Sequence, residues 1–184
     1  GSNAIGIMNA FLDDPRVNLY GFEAGGHGPD SGQHAIRFAP GTGELGMFQG
    51  AKSYLLGNSE GQTLDTYSIS AGLDYASVGP EHAWLKEIGR VNYSWATDEE
   101  AMNAFKDLCE TEGIIPAIES SHAVAGAYKA ARDLKEKGYE HPVMIVNISG
   151  RGDKDMNTAG KWFGYLTDEQ AAALEANGAT GNNA

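Results

Sequence analysis

Downstream of residue 80 the sequence alternates between helix-like and strand-like segments, and this alternation restricts the fold more than any other feature does. A helix is predicted at about residues 80–88 and a strand at residues 91–96. A capping box at residues 97–100 then opens a second helix, which ends at Gly113. Strands separated by helices are joined by right-handed crossovers, which produce a mostly parallel sheet with helices on both faces. The sequence therefore predicts an α/β domain.

Two further strands complete the predicted sheet. A strand is expected at residues 114–118, followed by a helix that Ser120 or Ser121 caps and that runs to Lys137. The apolar run at residues 143–148 is too dense for a sheet with one solvated face, which favours a buried parallel strand. Both strands are therefore expected in the covered part of the sheet.

The first half of the chain is less regular. A helix with Ser2 or Asn3 as its cap precedes a strand at residues 17–23, and a long Gly-rich loop covers about residues 24–46. Loops of this length are uncommon in compact domains unless they are functional or mobile. Three further segments are predicted to form an antiparallel pair and its turn: residues 45–56, 62–70 and 57–61.

The length of 184 residues predicts one domain over residues 1–166, followed by a short helix and a disordered end over residues 167–184. Hydrophobic residues make up 41% of the chain, which is enough for a packed core. The net charge of −12 opposes binding to nucleic acids and anionic membranes, and no apolar run is long enough to cross a bilayer. Because Cys109 is the only cysteine, an internal disulfide is excluded, and the cytoplasm is the expected compartment.

Polar residues follow two of the predicted strands, at the edge where α/β sheets bind ligands. Glu119 comes directly after the strand at residues 114–118, and the neighbouring serines leave it without a capping role, which favours contact with a ligand. The strand at residues 143–148 leads into residues 149–155, where two glycines permit either a sharp turn or close approach to a bound phosphate. A structural turn closed by ion pairs is the alternative for this segment.

Other candidate positions carry weaker signals. The helix start at residues 1–4 offers unpaired backbone N–H groups to an anion such as phosphate, and a simple helix cap explains it equally well. His27 and His34 lie with Asp30 in the long loop, but their spacing matches no metal motif, so metal binding by these side chains is not expected. Cys109 is expected to pack as a small hydrophobic residue.

Six segments, in order along the chain, carry a resemblance to one enzyme family. They are residues 1–6, 23–28, 67–75, 77–80, 112–123 and 149–155. Together they closely resemble the carboxyl-terminal half of the tryptophan synthase beta chain family, and the resemblance extends from Gly1 to about Lys161.

The resemblance implies a type-II pyridoxal-phosphate fold in which L-serine and indole are condensed to L-tryptophan. Gly1, Ser2 and Asn3 then correspond to the end of the glycine-rich cup that holds the cofactor phosphate. Ser149 corresponds to the hydroxyl that faces the ring nitrogen, and Glu119 to a carboxylate near the ring. Two glycines complete the expected cofactor-binding set, Gly72 and Gly150.

The same resemblance implies substrate and ion sites. Asp74 corresponds to the acidic residue of a mobile loop that closes over the amino-acid substrate, and Phe48 to an aromatic residue at the indole channel. Met47 stands where the family often has a second aromatic residue. The backbone carbonyls of Tyr75 and Ser77 correspond to ligands of a monovalent cation, Na⁺ or K⁺.

One element of the family pattern is missing. The lysine that forms the Schiff base, carried in a His-Lys-x-Asn segment, does not occur in these 184 residues, so the isolated chain is expected to be inactive. The expected partners are the amino-terminal half of the beta chain, the alpha chain and further copies of the same chain. Two alternatives stay open: a non-catalytic α/β module that binds phosphate or pyridoxal phosphate, and a relative of cysteine or threonine synthase.

Overall fold

The computed structural model describes residues 1–180. Its helices and strands, in chain order, are α1 (Ser2–Met8), β1 (Leu19–Ala24), β2 (Glu44–Phe48), β3 (Ala51–Leu55), α2 (Pro80–Glu87), β4 (Val91–Ala96), α3 (Asp98–Glu112), α4 (Ile118–Glu136), α5 (Met156–Trp162) and α6 (Asp168–Thr180). The disordered end predicted for the tail concerns in part residues 181–184, which lie outside the described residues. Within residues 1–180, no helix has the length and apolar composition needed to span a membrane.

A parallel pair of strands, β1 and β4, forms the centre of the fold. The register runs from Leu19 opposite Val91 to Ala24 opposite Ala96, so equivalent positions of the two strands point to the same face. On one face, Leu19 and Val91 form a core with Met8 of α1 and Leu85 of α2. This face of the sheet is therefore covered by two helices.

The opposite face of the same pair is covered by α3 and α4. Ala96 of β4 packs with Ala104 of α3 and Val124 of α4. Helix α3 has the predicted capping box of Thr97 and Glu100, and it ends at Gly113, which has a left-handed conformation. The predicted class, α/β with a parallel sheet and helices on both faces, is confirmed.

The parallel sheet is smaller than the sequence predicts. Residues 114–118 and 143–148 form no strand, because neither segment has a strand edge to pair with among the described residues. Val143 and Ile145 are 94% and 74% exposed, so the apolar run that indicated a buried strand lies on the surface. The prediction of two further parallel strands was wrong for this chain.

The side-chain caps predicted for α1 and α4 are wrong. Helix α4 begins at Ile118, so Ser120 and Ser121 lie inside its first turn and are buried. The backbone N–H of Ile118 instead donates to Oδ2 of Asp155 at 2.9 Å, a cap supplied from 37 residues further along the chain. Helix α1 is preceded by Gly1, and no side chain caps it. Sequence position alone does not reveal a cap that comes from a distant loop.

An antiparallel strand pair is present in this part of the chain, but its turn does not lie at the predicted residues 57–61. Strands β2 and β3 pair directly, with Phe48 opposite Ala51, and residues 62–70 form no strand. The turn residues Gln49 and Gly50 have φ of 48° and 79°. Two consecutive positive φ values are typical of the tight two-residue hairpin, whose twist matches that of its strands. A hairpin of this kind replaces the pair that the sequence predicted around residues 57–61.

Helix α4 approaches the sheet at Gly126, where a Cβ atom would overlap the ring of Phe22 in β1. We predict that Gly126→Ala destabilises the chain by about 1–3 kcal/mol, because overpacking outweighs the gain in helix propensity. The matched control is Gly6→Ala in α1, where a Cβ meets no atom within 4 Å. This substitution is expected to stabilise by up to about 1 kcal/mol. Free energies of unfolding from urea titrations test both, and equal effects of the two substitutions contradict the close packing.

Candidate functional site

The start of α1 lies against the segment that precedes Ser149. Asn3 Nδ2 donates to the carbonyl of Asn147 at 3.2 Å, and Asn147 Nδ2 donates to the carbonyl of Asn3 at 3.3 Å. The side chain of Asn147 also bonds to Oδ1 of Asn3. These two segments are 144 residues apart in sequence. The fold thus brings the first predicted cofactor residues next to the last ones.

Ser149 is held by Ser120, the buried second residue after the helix start. Ser120 Oγ donates to the carbonyl of Ser149 at 2.6 Å and accepts from its backbone N–H at 3.1 Å. Because both backbone groups of Ser149 are occupied in this way, its position relative to α4 is fixed. The Ser149 hydroxyl takes no part in these bonds, and the residue is exposed. Its side chain is therefore available to a ligand.

Glu119, next to Ser120, joins two loops. Its Oε1 accepts from the backbone N–H of Gly72 at 3.1 Å, and its Oε2 accepts from Lys154 Nζ at 2.9 Å. Partial burial opposes ionisation, but the bond from Lys154 and further hydrogen bonds outweigh it, so the pKa of Glu119 is lowered. Glu119 is consequently a carboxylate at neutral pH.

Two glycines border this carboxylate and the loop that holds it. A Cβ at Gly72 would collide with the side chain of Glu119. Gly150 has φ of 76°, and its Cβ would lie 3.2 Å from that of Ala117. Lys154 Nζ also lies 2.8 Å from Asp155 Oδ1, and Asp155 is the carboxylate that caps α4. Ion pairs do therefore close the turn at residues 149–155, as the structural alternative expected.

The carbonyl of Gly1 is bound by the buried side chain of His82. His82 Nε2 donates to this carbonyl at 2.8 Å, and His82 Nδ1 lies 2.8 Å from the hydroxyl of Tyr93. Because a carbonyl only accepts, Nε2 carries the proton and Nδ1 accepts from Tyr93. Burial lowers the pKa of His82, which keeps the ring neutral. Gly1 is thereby fixed beside β4.

The predicted substrate residues lie on the loops next to Glu119. Asp74 is exposed, and its Oδ1 accepts from the hydroxyl of Thr66 at 2.6 Å. The ring of Phe48 contacts the ring of Tyr75 edge-on at 5.7 Å, while Met47 is exposed. Since Gly72 is bonded to Glu119, the loop that carries Asp74 begins beside that carboxylate. The contacts thus bring Glu119, Gly72 and Ser149 together at the start of α4, while Asp74 and Phe48 lie on adjoining loops.

Ser77 and Tyr75 are engaged in other contacts. Ser77 is buried, bridges Leu55 of β3, and donates its hydroxyl to the carbonyl of Tyr54 at 3.0 Å. The carbonyl of Tyr75 accepts from Arg37 Nη1 at 2.7 Å. A metal ion about 4 Å from this guanidinium would be repelled by about 4 kcal/mol at an effective dielectric constant of about 20. The donor set around Tyr75 does not fit the monovalent cation that the resemblance implies.

Sequence reasoning missed the buried pair of Arg37 and Glu23. Arg37 Nε donates to Glu23 Oε1 at 2.8 Å, and the side chains are 9% and 5% exposed. One signal was available, because Glu23 ends a predicted strand at the ligand edge of the sheet. Arg37 carried no such signal, since it lies in the long Gly-rich loop far from Glu23 in sequence.

The loop histidines have protein partners. His34 Nδ1 accepts from the backbone N–H of Ile36 at 3.1 Å, and His27 Nδ1 lies 2.8 Å from Gln33 Oε1. In the described part of the chain, no group of three or more His, Cys, Asp or Glu side chains is arranged to hold a metal ion.

Three buried polar atoms near the start of α4 have no hydrogen-bond partner: Ser70 Oγ, Asp98 Oδ2 and His122 Nε2. His122 is 1% exposed, and its Nδ1 lies 2.8 Å from the carbonyl of Ile118. Nδ1 therefore carries the proton, which leaves Nε2 as an unpaired acceptor. Burial lowers the pKa of His122. The interior beneath Glu119 is thus polar and incompletely satisfied.

Comparisons with known proteins identify relatives of this chain, although no protein-family model matches it. The tryptophan synthase beta chain of Mycobacterium tuberculosis is 60% identical over 169 residues, which are 92% of this chain and 39% of the relative. That of Mycobacterium leprae is 58% identical over 167 residues, 90% and 38% of the two chains. That of Streptomyces coelicolor is 52% identical over 174 residues, 94% and 39% of the two chains.

The fold and the contacts define an α/β domain in which polar side chains gather at the start of α4 and on the adjoining loops. The relatives reported above indicate which α/β proteins this chain resembles. Over about nine tenths of its length the chain is similar to tryptophan synthase beta chains, as the six matching segments predict. It spans about two fifths of the length of the relatives that it matches.

Buried His122 makes stability dependent on pH. Because its pKa is lowered in the folded chain, the unfolded chain binds a proton first as pH falls below about 6.5, and stability is lost there. We predict that His122→Asn, which keeps a donor for the Ile118 carbonyl, reduces this slope by up to about 1.4 kcal/mol per pH unit. Urea titrations between about pH 7 and pH 5 measure the slope. An unchanged slope in the variant contradicts a neutral, buried His122.

Proposed function

We propose that this chain supplies the carboxyl-terminal part of a pyridoxal-phosphate enzyme that condenses L-serine and indole to L-tryptophan. The name shared by the relatives supports this activity. The observation that carries the proposal is the meeting of three distant segments. Asn3 is hydrogen-bonded to Asn147, and Ser149 is hydrogen-bonded to Ser120. Glu119 directly precedes Ser120 in the sequence. These are the segments that the resemblance assigns to the cofactor.

Gly1, Ser2 and Asn3 are the proposed partners of the cofactor phosphate. Backbone N–H groups at a helix start lack intrahelical acceptors and suit an anion. Position 1 tolerates no side chain, because a Cβ would overlap the ring of His82. The backbone of this segment therefore approaches its surroundings closely, which is what a phosphate cup needs.

Ser149 and Glu119 are the proposed partners of the cofactor ring. When bound, the cofactor withdraws electrons from the substrate carbon next to the amino group. Ser149 offers the ring nitrogen a neutral hydroxyl, which does not protonate it as a carboxylic acid would, so the ring is a weaker electron sink. Glu119 is held as a carboxylate between Gly72 and Lys154. Gly72 and Gly150 keep side chains away from this edge.

Asp74 and Phe48 are the proposed substrate residues. The Asp74 carboxylate is exposed, and its Oδ1 accepts a hydrogen bond from the hydroxyl of Thr66. Exchange of that bond for a bond to the amino-acid substrate would close the loop over the site. Phe48 sits on the hairpin that packs beside this loop, where its ring offers an apolar surface to indole.

The proposed partners follow from the surface of the chain. Four large apolar side chains are exposed in two segments, and exposed apolar residues of this kind are typical of an interface: Ile114, Ile115, Val143 and Ile145. We assign this surface to the amino-terminal part of the beta chain, which would also bring the lysine amine. The alpha chain and a second beta chain are further proposed partners, and the cytoplasm is the proposed compartment. The monovalent cation is excluded from this proposal, because Arg37 occupies the Tyr75 carbonyl.

The main alternative is a non-catalytic module that binds the cofactor without a covalent bond. The two proposals differ in calorimetric titration of the chain with pyridoxal phosphate. A module binds the free cofactor with useful affinity, whereas a chain that needs the rest of the beta chain does not. The third reading, a cysteine or threonine synthase relative, is disfavoured by the names of the relatives.

The proposed activity requires the amine of the Schiff-base lysine, which does not occur in these 184 residues. We predict that the chain alone, with pyridoxal phosphate, L-serine and indole, forms no tryptophan and no covalently bound cofactor band. Addition of the remaining three fifths of the Mycobacterium tuberculosis beta chain is expected to restore both. In the mixture, Glu119→Gln should lower turnover by about tenfold or more, because the charge near the ring is lost. Glu110→Gln, at an exposed position on α3, is the matched control with unchanged turnover.

Two outcomes of that experiment contradict the proposal: turnover by the chain alone, and full activity of the Glu119 variant in the restored mixture. Absorbance spectra and tryptophan fluorescence of the product measure the two readouts separately.

The exposed apolar segment at residues 143–148 predicts self-association of the isolated chain. Val143→Lys combined with Ile145→Lys should shift the chain toward the monomer, because each charge opposes burial of the surface. Leu64→Lys, an exposed apolar residue on another loop, is the control and should leave self-association unchanged. Light scattering at several concentrations measures the mass. A wild-type chain that stays monomeric throughout contradicts the prediction.

A further inference from the structure

We propose that the guanidinium of Arg37 is a built-in cation that takes the place of a monovalent metal ion at the Tyr75 carbonyl. The chain would then need neither Na⁺ nor K⁺ to order the loop that carries Asp74. The expectation of an ion at this carbonyl comes from the family resemblance, and the inference rests on the proposed function only for the role of the loop that carries Asp74.

The contacts of Arg37 form a closed arrangement. Its Nη1 donates to the carbonyl of Tyr75 at 2.7 Å, and its Nε donates to Glu23 Oε1 at 2.8 Å. Arg37 as a whole is 8% exposed. A positive group therefore reaches the carbonyl through a direct, charge-assisted hydrogen bond in a place that excludes most water.

The neighbouring carboxylate is already used. Glu23 Oε1 accepts from the backbone N–H of Arg37 at 3.0 Å, and Oε2 accepts from the backbone N–H of Phe38 at 2.9 Å. The charge of Glu23 balances that of Arg37, so the buried pair is neutral. A metal ion added here would leave an uncompensated positive charge in the interior, which is costly.

A second carbonyl of the loop is also occupied. The carbonyl of Ala76 accepts from the backbone N–H of Leu56 at 2.9 Å, and the neighbouring Ser77 hydroxyl donates to the carbonyl of Tyr54 at 3.0 Å. Hard cations require several free oxygen ligands around one point. The two successive carbonyls of Tyr75 and Ala76 instead accept hydrogen bonds from N–H donors. The donors are the Arg37 side chain and the backbone of Leu56, which follows β3.

Arg37 also links the elements that must move together. Glu23 lies in β1, and Tyr75 follows Asp74 directly in the substrate loop. The guanidinium thus anchors that loop to the central parallel pair. Arg37 acts through Tyr75 on the position of Asp74, and it is a positioning residue.

Thermal unfolding of the chain in chloride salts of Na⁺, K⁺, Cs⁺ and tetramethylammonium, at a matched ionic strength of about 0.1 M, tests the inference. Tetramethylammonium has the same charge but is too large to bind among carbonyls. We expect the wild-type Tm to agree within about 1 °C in all four salts, because no ion site is left for the metals.

Arg37→Met removes the guanidinium charge and keeps an unbranched side chain in place of the aliphatic part of Arg37. Its Tm should fall by about 10 °C in tetramethylammonium chloride, since the buried Glu23 carboxylate keeps its two backbone hydrogen bonds but loses its counter-charge. Na⁺ or K⁺ should restore part of that loss. Arg16→Met is the matched control: its pair with Asp14 is at the surface, and we expect its Tm to stay near the wild type in every salt.

A wild-type Tm that rises in Na⁺ or K⁺ above its value in tetramethylammonium overturns the inference, even if the Arg37 variant fails to fold. If the Tm of Arg37→Met falls by the same amount in all four salts, the proposal that the guanidinium takes the place of an ion is also overturned. These readouts require no turnover. Failure of tryptophan formation in the restored mixture would overturn the proposed function and leave the ion measurements unaffected.

Discussion

The connection between the first turn of α4 and the loop at residues 149–155 organises the site. Asp155 caps Ile118, Ser120 binds both backbone groups of Ser149, and Lys154 binds Glu119. Each hydrogen bond contributes about 1 kcal/mol on its own. Their combined effect is geometric, because four bonds in different directions restrict the placement of the loop. Without them, Ser149 and Glu119 would have no defined separation.

The central parallel pair supplies the rigid support for this connection. Strands β1 and β4 bury one face against α1 and α2 and the other against α3 and α4. Gly126 lets α4 approach β1 closely enough for the start of the helix to reach the carboxyl end of the sheet. The same pair anchors Glu23, and through Arg37 it anchors the substrate loop. One small sheet thus supports the start of α1, the start of α4 and the loop that carries Asp74.

Two groups of residues lack the surroundings that their chemistry normally requires. Apolar residues at 114–115 and 143–148 are exposed although their sequence is typical of buried strands. The interior beneath Glu119 holds polar atoms of Ser70, Asp98 and His122 without partners. Buried polar groups are nearly always satisfied in complete proteins, and large apolar surfaces are nearly always covered. The exposed apolar residues fit the interface proposed for this surface.

The sequence by itself determined the class of the fold and most of its helices. Period, capping box and glycine stops act over a few residues, so α2, α3, β4 and the end of α3 at Gly113 were predictable. The family resemblance added the site residues, because Glu119, Ser149 and Asp74 lie in short segments with distinctive composition.

Only the tertiary structure decided which apolar segments pair and what binds each polar group. A strand needs a neighbouring edge, and residues 143–148 find none, whatever their propensity. The cap of α4 comes from Asp155 rather than from an adjacent serine, and the carbonyl of Tyr75 binds Arg37 rather than an ion. Such contacts join residues about 40 positions apart. They depend on three-dimensional distance, which local sequence patterns do not contain.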